Sequence, residues 1–194
     1  MRIGAKLVVV ALAIVAGACS TTTMRSEPQG IAIATDVFLE LPSADELTES
    51  FDAVQSIVGE YEDGSYSFAA HIEARPGSIT IVGVGALGGS LFSISFDGSE
   101  LTGTGSRQAQ AVNAEYVLAD VILTHWDVDW IGDHLRGAEI STAGHAKQRY
   151  ITRDGELVIG ITYDTSDPWG GVAQLTHMER QYSLQITTAE FTPQ

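Results

Sequence analysis

The stretch Asn113 to Gly137, NAEYVLADVILTHWDVDWIGDHLRG, is the only long segment of this sequence with a helical period. Leu118, Val121, Ile122, His125 and Trp126 fall at i, i+3, i+4, i+7 and i+8, one apolar stripe. Glu115 and Asp120 lie off it. Asn113 has the side-chain oxygen that an orphan N–H of a first turn requires. Asp127 offers the same at the start of a second short helix through Val128, Ile131 and Leu135. Gly137 can take the left-handed conformation that ends such a helix. Nearly everything on either side has strand character, so the helical pair has to lay its stripe on a sheet. Whether it plugs a core or covers a ligand cavity is the functional question.

On the N-terminal side, Ile31 to Leu41 is short and apolar and reads as a first strand ended by Pro42. Ser43 with Glu46 matches a capping box, which predicts one or two helical turns over Ala44 to Glu49. Strands follow over Ser50 to Tyr61, Ser65 to Arg75, Ser78 to Leu87 and Ser90 to Phe96. Turn residues separate them: Glu62-Asp63-Gly64, Pro76-Gly77, Gly88-Gly89 and Asp97-Gly98. Tyr66, Phe68, Ala70, Ile72 and Ala74 alternate onto one face; Phe92, Ile94 and Phe96 do the same. On the C-terminal side, strand character returns over Glu139 to Ala143, His145 to Arg153, Glu156 to Asp164, Val172 to Glu179 and Gln181 to Phe191. The order strands, two helices, strands predicts a mainly β fold: one large curved antiparallel sheet with the helices packed on its concave side.

The N-terminus has a different purpose. Arg2 and Lys6 precede an apolar run from Leu7 to Ala16, too short to span a bilayer, so residues 1–18 read as an export signal. Ala16-Gly17-Ala18 then precede Cys19, the single cysteine of the sequence. This pattern resembles the lipobox of bacterial lipoproteins, which implies cleavage before Cys19 and acylation there. Several acyl chains give stable membrane anchoring where one is marginal. Residues 19–30 read as the lipidated cysteine and a polar tether, and 31–194 as a single domain with its helical insert at 113–137. Ser20, in place of aspartate, favours sorting to the outer membrane of a Gram-negative cell, facing the periplasm. Formal net charge is −15, and loss of Arg2 and Lys6 makes the mature chain more acidic still. Such a balance argues against nucleic-acid binding and against a basic surface that grips anionic lipid.

Catalytic and cofactor motifs are sparse. Gly83-Val84-Gly85-Ala86-Leu87-Gly88 spells a dinucleotide-binding glycine pattern, but that motif needs a following helix, and here a strand follows. The five histidines form no metal-ligand pattern. His125 sits on the apolar stripe, which suits a hydrogen-bonded buried histidine. No serine lies in a nucleophile elbow, and the acid pairs Asp127/Asp129 and Asp164/Asp167 sit at caps and turns. The reading is therefore non-enzymatic, with no cofactor and no metal.

Four segments carry a family resemblance: Phe92 to Gly98 (FSISFDG), Tyr116 to Leu123 (YVLADVIL) with Trp126, Gly155 to Tyr163 (GELVIGITY), and Tyr182 to Ile186 (YSLQI). Their order resembles an uncharacterised family of bacterial lipoproteins often encoded in gene clusters for aryl-polyene pigments. That family is similar to LolA and LolB, the carrier and receptor of outer-membrane lipoproteins. One departure is Asp127, where the resemblance leads to an expected proline; Asp starts a helix equally well. The resemblance covers roughly residues 50 to 190. It implies an incomplete antiparallel barrel with a short helical lid over an apolar cavity. Under such a lid Leu118, Val121, Ile122 and Trp126 would face the cavity, opposite Phe68, Ile72, Phe92, Ile94 and Phe96. In a plain core the same residues would simply be packed. Three function classes follow. The first is a lipoprotein that binds or helps transfer a hydrophobic ligand: an acyl chain, a lipoprotein or an aryl-polyene lipid. The second is an assembly accessory without a ligand. The third is a hydrolase or transferase acting on a lipid-linked product.

The anchor is testable directly. Radiolabelled palmitate fed to expressing cells is expected to enter the wild type and not Cys19→Ala; equal label in both contradicts anchoring at Cys19.

Overall fold

The computed structural model describes residues 30–62, 64–105 and 113–194. The expected export signal, Cys19 and the tether up to residue 29 lie outside the described residues. The first half runs β1 (Ile31–Ala34), β2 (Val37–Leu39), β3 (Phe51–Tyr61), β4 (Gly64–Arg75), β5 (Ser78–Val84), β6 (Ser90–Phe96) and β7 (Leu101–Gly105). Two helices follow, α1 (Ala114–His125) and α2 (Val128–His134). The second half is β8 (Leu135–Arg136), β9 (Glu139–Ala143), β10 (Gln148–Arg153), β11 (Glu156–Tyr163), β12 (Val172–His177) and β13 (Tyr182–Pro193).

Ten strands form one curved antiparallel sheet in the order β7-β6-β5-β4-β3-β13-β12-β11-β10-β9, not closed into a barrel. Its centre is the pairing of two long strands, β3 with β13, from Tyr61↔Tyr182 to Phe51↔Pro193 with a register shift between Thr188 and Glu190. That pairing joins the N-terminal meander to the C-terminal one. Alternation sets the faces: Phe51, Ala53, Gln55 and Ile57 of β3 are buried, as are Ile79 and Ile81 of β5 and Leu175 and His177 of β12. The sheet edges are β7 and β9, and the helical layer reaches both. Ala114 at the start of α1 lies against Gly103 of β7, while α2 packs on β9 with Gly132 facing Ile140. The helices therefore cover the face that an unclosed sheet leaves open.

Both helix starts form as their sequences predict. Asn113 accepts the Glu115 N–H at 2.8 Å, and Asp127 accepts from Asp129 and Trp130 at 2.9 and 3.2 Å. Burial on α1 is broader than the predicted stripe: Leu118, Ala119, Ile122 and Leu123 are all at most 1% exposed. The reason is a second layer. A small sheet, β1-β2-β8, contributes buried Ile31, Ile33, Val37 and Leu39, and β1 packs on α1. The C-terminal carbonyls of α1 are held from the large sheet. Arg149 of β10, 6% exposed, donates from Nη1 to Leu123 O at 2.9 Å and Trp126 O at 2.8 Å. Tyr163 of β11 donates to Thr124 O at 2.6 Å. A cation at a helix C-terminus is favoured by the aligned peptide dipoles as well as by its hydrogen bonds.

Several local expectations are corrected. Ile31 to Leu41 is a hairpin rather than one strand, because Asp36 takes φ +57 between β1 and β2. Ser43 donates both its N–H and its hydroxyl to Glu46 Oε2, at 2.9 and 2.6 Å, which is only one half of a capping box; the chain makes a turn and no helix follows. Gly137 is left-handed at φ +80 yet does not end α2. Leu135 leaves the helix to pair with Leu39 of β2, burying its side chain, and Gly137 turns the chain where Asp36 O passes too close for any Cβ. The strand expected from His145 begins only at Gln148, since Gly144, His145 and Ala146 all have positive φ. Strand β7 went unread because Leu101-Thr-Gly-Thr-Gly carries one apolar residue.

Arg149 gives the fold its sharpest test. Replacing it by Met keeps the bulk but leaves two buried helix carbonyls unpaired, at about 1–3 kcal/mol each. Arg149→Met is expected to lower stability by about 2–4 kcal/mol in denaturant titration; unchanged stability contradicts the anchoring role.

Candidate functional site

Between α1 and strands β3, β4, β5, β6 and β13 lies a cavity of about 650 Å³, within the range that holds a drug-sized or lipid-chain-sized ligand. It opens beside the exposed residues Ser65, Tyr66, Asn113 and Tyr116. Its far end reaches Gln55 and His125, both buried.

The apolar wall is built by pairing. Ile57 lies opposite Phe68 and Ile186; Ala70 lies opposite Gly83, and Gly83 opposite Phe92. Two glycines make this wall possible. A Cβ on Gly59 would stand 2.6 Å from the Tyr66 ring, and one on Gly83 would stand 2.3 Å from the Phe92 ring. The aromatic rings lie down over the glycines and present their faces to the interior. Gly83 to Gly88, the glycine pattern noted above, is thus a strand end and a hairpin turn, with a register shift at Gly83/Val84 and φ +81 at Gly88. No helix N-terminus stands there to hold a pyrophosphate.

A continuous run of rings lines one side: Tyr182 on Tyr61 at 5.3 Å, Tyr61 on Tyr66 at 5.2 Å, Tyr66 on Phe68 at 5.8 Å and Phe68 on Phe92 at 5.3 Å. The Tyr61 and Tyr66 hydroxyls bond each other at 2.6 Å. From the helix, Val117, Asp120 and Val121 face the same space. The Tyr182 hydroxyl donates to both oxygens of Asp120 at 2.8 and 2.9 Å. Burial raises the Asp120 pKa to about 7, against the lowering effects of the Tyr182 hydrogen bond and the Arg180 charge. Arg180 lines the cavity too, with its guanidinium 3.4 Å above the Tyr116 ring and Nη2 bonded to Ala32 O.

At the closed end His125 is neutral, and its tautomer follows from its partners. Nδ1–H donates to Pro168 O at 2.8 Å, so Nε2 accepts from the Gln55 amide at 3.0 Å. Gln55 gives its other N–H to Thr188 at 3.1 Å. Burial pushes His125 down to about 3, and its ring stacks on Trp169 at 3.9 Å. This is a satisfied structural histidine, as its place on the apolar stripe suggests. Among the described residues no cluster of three His, Cys, Asp or Glu could hold a metal, and no helix is long and apolar enough to cross a membrane.

Of the nine residues that the sequence places around a cavity, Phe68, Ile72, Phe92 and Val121 stand on its wall. Leu118, Ile122, Ile94 and Phe96 are packed core instead. Trp126 joins Phe51 at 6.2 Å, in a cluster with Trp169 and Phe191 beyond the closed end. The helix turns its 117–121 side to the cavity and its 118–122 side into the core. The sequence reading missed Asp120, Tyr61, Tyr116, Tyr182, Arg180 and Gln55. Tyr182 was within reach, since it shares strand period with Leu184 and Ile186. Asp120 was not, because an acid beside an apolar stripe ordinarily faces water.

Residues 52–190 match the family described as a protein of unknown function (DUF3261). Comparison with curated proteins finds no match. Similar solved structures include a LolA superfamily protein from Nitrosomonas europaea, at 9% identity and TM-score 0.44, covering 86% of this chain and 94% of that one. A second is a putative outer membrane lipoprotein-sorting protein domain from Vibrio parahaemolyticus, at 8% identity and TM-score 0.38, covering 78% and 88%. A third is a DUF1329 family protein from Desulfovibrio piger, at 8% identity and TM-score 0.32, covering 77% and 88%.

Two titrating groups that face the interior, half-buried Asp120 and buried His125, have opposite effects on stability. Folded Asp120 holds its proton more tightly than the unfolded chain does, so its contribution is greatest at low pH and is lost as pH rises from about 4 to about 7. Folded His125 resists protonation, so stability falls as pH drops from about 6.5 toward about 3. The slopes oppose each other between about pH 4 and 6.5. Asp120→Asn should expose the His125 slope and, at pH 8, exceed the wild type in stability by on the order of 2 kcal/mol. Parallel melting profiles for the two proteins from pH 4 to 8 would contradict this assignment.

Proposed function

We propose that this chain, which belongs to the DUF3261 family, is a non-enzymatic lipoprotein that holds an apolar molecule in the cavity beneath α1. The observation that carries this reading is the cavity itself. Chains fill their interiors to crystal-like density, and an open space of about 650 Å³ walled by Ile57, Phe68, Phe92, Val121, Leu184 and Ile186 leaves these apolar side chains against water instead of against one another. An apolar ligand covers those side chains and removes its own surface from water, worth roughly 25 cal/mol per Å² buried. The space over Gly59 and Gly83, taken by the Tyr66 and Phe92 rings of the neighbouring strands, shapes the wall.

Anchoring at Cys19 places the cavity at the periplasmic face of the outer membrane. Its cargo would then be an acyl chain, the lipid of another lipoprotein, or an aryl-polyene lipid, received from or passed to the membrane. The polar mouth and apolar depth suit a molecule that enters tail first.

Two neighbouring residues of α1 separate this reading from a packed core. Val121 faces the cavity, whereas Ile122 is fully buried against the sheet and small sheet. Ile122→Glu buries an unpaired carboxylate and should cost several kcal/mol, enough to unfold a domain of this size. Val121→Glu should stay folded, because the carboxylate reaches water in the unliganded cavity, while binding of an apolar fluorescent probe is lost. Equal unfolding of both variants, with no probe bound by the wild type, would reject the cavity as a ligand site.

A further inference from the structure

The cavity holds one carboxyl group whose surroundings point to the head of its ligand. Asp120 faces the interior from α1, between Val117 and Val121. Its hydrogen bond from the Tyr182 hydroxyl uses a fraction of the lone pairs that two carboxylate oxygens offer. Among the described residues, no Lys, Arg or His nitrogen lies within 4.0 Å of it. Arg180, the one described cation that also lines the cavity, is held elsewhere, stacked on Tyr116 and bonded to Ala32 O. Beside the carboxyl stands Tyr182, which bonds it, with Tyr61 stacked on Tyr182 and Tyr66 tilted against Tyr61. A carboxylate with unused lone pairs beside a cluster of phenol rings is an arrangement that attracts an ammonium group, chiefly through charge and secondarily through the ring quadrupoles.

We propose that the cavity selects amphiphiles with a cationic amine head, and that Asp120, beside the cluster of Tyr61, Tyr66 and Tyr182, receives that amine. This rests on the ligand-binding reading above and narrows it to a chemical class. The apolar tail lies toward Phe68, Ile72 and Phe92, and the ammonium sits at the depth of Asp120, where its three N–H donors meet the carboxylate oxygens. Unliganded, the carboxyl is driven toward its neutral form by burial; an amine supplies the counter-charge and restores the carboxylate. A fatty acid would bring a second negative charge to the same place. The net charge of −15 acts in the same direction, drawing cations toward the protein and repelling anions.

The test uses the full chain and three twelve-carbon probes, dodecylamine, dodecanol and dodecanoate, each below its micellar concentration and each competing with an apolar fluorescent probe. Salt at about 1 M, where the Debye length is roughly 3 Å, removes the contribution of overall charge. Dodecylamine is expected to compete at roughly tenfold lower concentration than dodecanol, with dodecanoate weakest. In Asp120→Asn, which keeps an oxygen for the Tyr182 hydroxyl, the advantage of the amine over dodecanol should vanish. A second readout needs no variant. The groups facing Asp120 are Tyr61, Tyr66, Tyr182 and Arg180, and the three phenols are pushed up by burial, so Asp120 is the one that titrates near neutrality. Amine affinity in the wild type should therefore weaken as pH falls from 8 to 5, and dodecanol affinity should not. Equal affinities of amine and alcohol, an advantage that survives Asp120→Asn, or tightest binding by dodecanoate would overturn the amine subsite and leave the apolar cavity standing. Failure of the fluorescent probe and all three amphiphiles to bind would overturn both.

Discussion

Everything in this fold that bears on a ligand depends on how the C-terminal end of α1 is held. A ten-stranded sheet that does not close leaves one face to be covered, and a single helix of 12 residues has to cover much of it. Arg149 and Tyr163 tie its last carbonyls to β10 and β11, while Asn113 caps its first turn beside β7. Fixed at both ends, the helix bridges the sheet as a beam. Leu118, Ile122 and Leu123 pack solidly along one part of it, and the Val117–Val121 side is left facing open space. The cavity is a consequence of that geometry and not of missing side chains at a flexible surface.

The polar groups within this apolar interior fall into two kinds. The side-chain donors of Gln55 and His125 all meet acceptors, the imidazole tautomer is fixed, and burial keeps the ring neutral. Such a closed network terminates the cavity without inviting a ligand. Asp120 and Tyr182 are different, because their mutual bond leaves capacity unused and faces the interior. The contrast between a closed pair and an open one, a few residues apart on the same helix, separates what supports the cavity from what can recognise its contents.

The architecture was largely readable from the chain because strand period and turn chemistry agree over most of it. Phe92, Ile94 and Phe96, the Asp97-Gly98 turn, and the two acidic or amide caps of the helices each point the same way as the final structure. Reading failed where tertiary pairing outweighed local preference. Leu135 left its helix for β2, the Ser43–Glu46 pair formed without a helix behind it, and β7 formed in a Gly/Thr segment because β6 offered it a partner. The site was harder to read than the fold. Helical period identifies a buried stripe but cannot say which edge of that stripe meets a neighbour and which meets a void, so Val121 and Ile122 were indistinguishable. Asp120 lies off the stripe, and the void that receives it is made by strands far away in sequence.

The claim on which the functional account stands is that this interior space is occupied by an apolar molecule in the cell. Native mass spectrometry of the protein purified without detergent from its own cells, followed by solvent extraction and identification of what is released, measures this directly. The account predicts about one apolar or amphiphilic molecule per chain, displaced by an apolar probe and absent from Val121→Glu. A homogeneous, ligand-free protein that also excludes such probes would contradict it.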